Sequence, residues 1–132
     1  MEYKTGLNIK TFEAKCILGM KVGYSEELLT EKELRSAIKQ STSEVKDYVF
    51  SGTITKTHII AYGKGKVYEE PAYLVESSVY PRYLVEVQVF KEKFIEFIGK
   101  VAVSLKQERI AVVFSDESLM IETKYCQKPD IK

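Results

Sequence analysis

The chain has 132 residues, 45% of them hydrophobic, and a formal net charge of +1 from 20 basic and 19 acidic side chains. That is enough for one globular domain, able to bury roughly two-thirds of its unfolded surface without a metal or a disulfide. The balanced charge excludes a bulk electrostatic grip on nucleic acid, and no apolar run approaches the ~20 residues of a membrane helix.

Residues 1–12 carry charges but no apolar centre, so they read as a tail and not as a signal peptide. A second tail, 124–132, ends Gln-Lys-Pro-Asp-Ile-Lys. Between them lies one ordered core, about 14–123, of a single domain spanning 1–132. The two cysteines, Cys16 and Cys126, belong to no C-x-x-C pair and no Cys/His cluster. They are expected to be free thiols in a reducing cytoplasm, with no metal and no cofactor.

The first predicted strand is 14–24, where Cys16, Leu18, Met20, Val22 and Tyr24 alternate with Ile17, Gly19, Lys21 and Gly23. Thr30-Glu-Lys-Glu33 is a capping box that opens a helix with Leu34, Ala37, Ile38 and Val45 on one face. A β-branched strand follows at 52–62, and Gly63-Lys-Gly65 turns it into another at 66–79. Pro71 marks that second strand as an edge, or makes it begin later. Alternation of Tyr83, Val85, Val87 and Val89 predicts a strand over 82–90. Phe94, Phe97, Ile98, Val101 and Leu105 predict a helix over 91–106. The chain closes with a strand at 108–115 and a short one from Leu119 to Thr123, after the Asp116-Glu117-Ser118 turn.

This order is α+β: a ferredoxin-like antiparallel sheet with two helices on one face and an extra β-hairpin strand. The other sheet face has no helix to cover it. Ile17, Leu84, Ala111 and Val113 fall there, and sheet-to-sheet packing against a second copy is the expected remedy.

No phosphate loop and no nucleophile–histidine arrangement is visible. His58, the single histidine, reads as a surface or interface residue. Glu69-Glu70 and Asp116-Glu117 read as solvated turn charges. The chain has only three arginines, and strand parity places Arg82 and Arg109 on the open face on either side of Gly23. At ~4.8 Å between strands, their Cα atoms would stand about 10 Å apart. Two planar guanidinium groups beside a residue with no side chain form a notch for phosphate or carboxylate. Lys21 shares that face, and Tyr80 could stack on a base. The alternative is that the arginines pair with Glu86 or with a partner subunit.

The stretch from Leu105 through Gln107-Glu108 to Phe114, with Ser51-Gly52-Thr53-Ile54, resembles small bacterial and phage proteins of ferredoxin-like fold. These include a family of unknown function, the Thoeris anti-defence proteins that sequester cyclic nucleotide signals and, more distantly, PII-like sensors. The resemblance implies a non-enzymatic homo-oligomer that binds a small anionic ligand, a nucleotide or cyclic nucleotide signal, as a phage sponge would. The alternatives are an inhibitor that covers a host protein with its β-hairpin and a small α+β barrel enzyme. Membrane and nucleic-acid partners are not expected.

Overall fold

The computed structural model describes residues 2–23, 25–80 and 85–126. Seven elements follow in chain order: β1 (Glu13–Gly19), α1 (Glu31–Glu44), β2 (Gly52–Gly63), β3 (Lys66–Ser78), α2 (Val87–Ser104), β4 (Arg109–Phe114) and β5 (Ser118–Glu122). The sheet order is β2-β3-β1-β4-β5, and every neighbouring pair is antiparallel. The first four strands have the ferredoxin-like arrangement, and the extra strand is β5, at the edge beyond β4.

The capping box forms as the sequence requires: Glu33 donates its N–H to Thr30 Oγ1 at 3.1 Å, and Thr30 donates its own to Glu33 Oε1 at 3.0 Å. The strand expected over 82–90 does not form through its second half, because residues 87–90 are the first turn of α2. Val85, Val87 and Val89 are 40–44% exposed. Phe90, Phe94, Phe97, Ile98 and Val101 are buried at helical spacing, and Phe90 meets Phe12 edge-on at 5.9 Å. Aromatic burial with a 3.6-residue period outweighs a run of three valines with a period of two. Pro81, Arg82, Tyr83 and Leu84 lie outside the described residues, as does Tyr24.

Both helices pack on one face of the sheet. Leu18, Val75 and Val112 meet Phe94, Phe97, Ile98 and Val101 there, all with no or almost no exposure. Phe97 stacks on Phe50 at 4.8 Å. Cys16 is in this layer, and burial pushes its thiol up to about 12, which removes it as a nucleophile. Tyr48 also lies against Phe97, and burial pushes its phenol well above the ordinary tyrosine value.

Pro71 is inside the sheet and not on an edge, because β3 lies between β2 and β1. Its carbonyl accepts from Met20 N–H, on the β1 side. The N–H that proline lacks would point the same way, past the end of β1, so the β2–β3 ladder loses no bond there. No helix among the described residues is long and apolar enough to cross a membrane.

Candidate functional site

The uncovered face carries Ile17, Val113 and Met120, which are 47%, 36% and 52% exposed. Near the end of β1 this apolar face is interrupted by a carboxylate. Gly19 pairs with Ala72 of β3, and the β1–β4 register, continued to the end of β1, sets Arg109 on its other side. Glu70, two residues before Ala72 and on the same face, leans over Gly19. A Cβ added to Gly19 would come 2.3 Å from Glu70 Oε2, so glycine is required for this approach.

Glu70 is only 6% exposed. Its Oε1 accepts from the Tyr68 hydroxyl at 2.6 Å and its Oε2 from the Lys21 backbone N–H at 2.8 Å. Among the described residues no cation lies within ion-pair distance of it. Taking a carboxylate out of water costs several kcal/mol unless a counter-charge and hydrogen bonds replace the solvent. Glu70 has the hydrogen bonds and, among the described residues, no cation within 4 Å.

The loop after β1 frames this carboxylate. Lys21 forms an isolated bridge with Leu28, and its carbonyl accepts from the buried Gln107 side chain at 2.9 Å. Lys21 Nζ lies 5.3 Å from the centre of the Tyr68 ring and 3.6 Å from Glu26. Gly23 has φ +59°, a left-handed turn conformation that suits glycine, and Glu108 borders it. Arg109 Nε donates to Glu122 at 3.0 Å across β4 and β5.

The structure therefore brings Lys21, Gly23 and Arg109 to one end of the sheet, with Gly23 in a turn and not in a strand. Tyr80, 55% exposed, follows β3 at the opposite end, beside Glu13 and Ser77. Arg82 lies outside the described residues. Of the strand expected over 82–90, residues 87–90 belong instead to α2. The glycine closely approached by a side chain is Gly19, with Glu70 against it and Arg109 on its other side by register. Sequence reasoning missed Glu70 by taking Glu69-Glu70 for a turn. The available signal was the alternation of Tyr68, Glu70, Ala72 and Leu74 opposite a glycine on the same face.

No protein-family model and no curated protein matches the sequence. Two solved structures match the fold. One is a phage SAM lyase in complex with S-methyl-5'-thioadenosine, with TM-score 0.70 and 14% identity, covering 93% of this chain and 98% of that one. The other is a phage SAM lyase in the apo state, with TM-score 0.69 and 15% identity, covering 94% and 96%. The resemblance to small phage proteins thus holds at the level of fold, and nothing in it singles out PII-like sensors. The expectation of a non-enzymatic sponge for a nucleotide signal is corrected: the proteins that share this fold over nearly the whole chain are enzymes.

Proposed function

We propose that this chain is a lyase for S-adenosylmethionine (SAM), cleaving the bond between the sulfonium sulfur and Cγ of the amino-acid arm and releasing S-methyl-5'-thioadenosine. The observation that carries the reading is Glu70, a buried carboxylate with no cation within 4 Å among the described residues. The fold shared with phage SAM lyase supports it. SAM brings two cations, a sulfonium and an α-ammonium.

The chemistry selects between them. Cleavage neutralises sulfur, so a carboxylate paired with the sulfonium would stabilise the substrate more than the transition state. The ammonium keeps its charge throughout. Glu70 therefore holds the ammonium, which draws it away from the substrate's own carboxylate. That carboxylate attacks Cγ, a C–O bond closes the five-membered lactone, and the C–S electron pair goes to sulfur. S-methyl-5'-thioadenosine leaves as a neutral thioether, and homoserine lactone keeps the ammonium. No proton moves, so the reaction needs positioning and no general base. Arg109, on the other side of Gly19, steers the substrate carboxylate, and the turn at Gly23 leaves room beside Lys21.

We also propose that a second copy covers the open face, since Ile17, Val113 and Met120 expose an apolar surface beside the site. Sedimentation should then show a dimer or larger assembly, which Val113→Glu dissociates. For the activity, purified protein is incubated with SAM and the products are separated by liquid chromatography and mass spectrometry. S-methyl-5'-thioadenosine and homoserine lactone are expected in equal amounts. SAM left intact, or S-adenosylhomocysteine as product, would overturn the proposal.

A further inference from the structure

Tyr68 does more than donate a hydrogen bond. Its hydroxyl donates to Glu70 at 2.6 Å, which draws positive charge toward the carboxylate and leaves the ring richer in electrons. Over that ring, at 5.3 Å, stands the ammonium of Lys21. An aromatic face with a cation above it is an onium site already filled. The Lys21 side chain is only 16% exposed, and its one ion pair among the described residues is with Glu26 at 3.6 Å, whose own side chain is 92% exposed. With Glu26 itself in solvent that pair adds little, so a ligand cation that takes over the ring can displace the ammonium along its flexible stem while the Lys21 backbone stays fixed by Glu70 and Gln107.

We propose that the ring face of Tyr68 is a subsite for an onium cation, and that Lys21 occupies it until a ligand cation displaces it. This deepens the lyase reading and rests on it for the identity of the natural ligand, the sulfonium of SAM. With Glu70 on the ammonium and Tyr68 under the sulfonium, the two cations of one substrate are separated onto two neighbouring groups, and the neutral ring positions the sulfonium with less ground-state stabilisation than a carboxylate would give it. Conversion of the sulfonium to a thioether removes the attraction to the ring, and Lys21 returns to it. Product release follows from the same change of charge that the reaction produces.

The probe is trimethylsulfonium, which cannot be cleaved and reports the subsite alone. Its binding is followed by the NMR shifts of the Tyr68 ring in wild type and of neighbouring amides in the variants. Lys21→Met should bind it at least about two-fold more tightly, because the contact it removes is largely desolvated and worth no less than an exposed cation–π pair. Tyr68→Phe should retain binding, and Tyr68→Leu should lose it. Circular dichroism and thermal melting establish that each variant is folded. Binding unchanged in Tyr68→Leu, or weakened in Lys21→Met, would overturn the proposal. The lyase reading fails separately: a protein that binds trimethylsulfonium over Tyr68 but leaves SAM intact keeps the subsite and loses the activity. One that cleaves SAM with the same KM in wild type, Lys21→Met and Tyr68→Leu keeps the activity and loses the subsite.

Discussion

Among the described residues two charged side chains are buried, and they are treated in opposite ways. Lys91, near the start of α2, has a side chain only 10% exposed. Its Nζ pairs with Glu117 and, at 3.2 Å, with Asp116, and it stands over the rings of Phe114 and Phe12 at 5.2 and 6.0 Å. Every need of the ammonium is met from within the chain. Glu70 is 6% exposed and has two donors but no described cation. A buried charge with its counter-ions ties elements together, here α2 to the β4–β5 turn. One that lacks a counter-ion is poised to take it from a ligand.

The sharpest reference for this contrast is the core itself. Phe97→Ala should destabilise the protein by about 3–5 kcal/mol, because Phe97 is fully buried against Phe50 and Phe94. Chemical denaturation measures it, and a cost well under 1 kcal/mol would show that α2 does not cover the sheet as described. Glu70→Gln should do the reverse. Stability should stay within about 1 kcal/mol, while kcat/KM for SAM falls about 10- to 100-fold, the worth of a hydrogen bond to a charged group.

Gly19→Ala tests the same site from the other side. The new methyl group meets the Glu70 carboxyl at 2.3 Å, so Glu70 must move, at a stability cost of about 1–3 kcal/mol. Activity should fall with it, and Gly19→Ala combined with Glu70→Gln should be no less active than Glu70→Gln alone. Additive losses would place the two residues in separate roles.

Much of this was legible in the sequence. Thr30 and Glu33 announce α1, Gly63-Lys64-Gly65 the β2–β3 turn, and the spacing from Phe94 to Leu105 the buried face of α2. The start of α2 was not legible, because Val85, Val87 and Val89 alternate as a strand would and the deciding contact, Phe90 on Phe12, joins distant segments. Glu70 escaped for a related reason. Glu69-Glu70-Pro71 reads as a turn until β2 and β3 are seen to pair continuously from Gly52↔Ser77 to Gly63↔Lys66, which makes Glu70 mid-strand. Its burial depends on Gly19, fifty-one positions earlier in the chain.

Lys91→Met should have the smallest effect, a modest fall in melting temperature with SAM turnover unchanged. Its pH dependence carries a sign. The Glu117 carboxylate first, then Asp116, raise the Lys91 pKa above its ordinary value against the opposing effect of burial. The stabilisation is therefore complete below the unfolded pKa and is lost as pH rises through the higher folded one. As pH rises past the ordinary lysine value of about 10.4, the melting curves of wild type and Lys91→Met should begin to converge. A gap that widens with pH would contradict the ion-pair account.

The central claim, that the unpaired buried carboxylate is the working group and the paired buried ammonium is architecture, comes down to one comparison of rates. SAM cleavage by Glu70→Gln and by Lys91→Met is measured against wild type under the same conditions, with S-methyl-5'-thioadenosine quantified over time. The account predicts a loss of at least 10-fold in the first variant and a wild-type rate in the second. Equal rates in Glu70→Gln and wild type would contradict it, as would a loss confined to Lys91→Met.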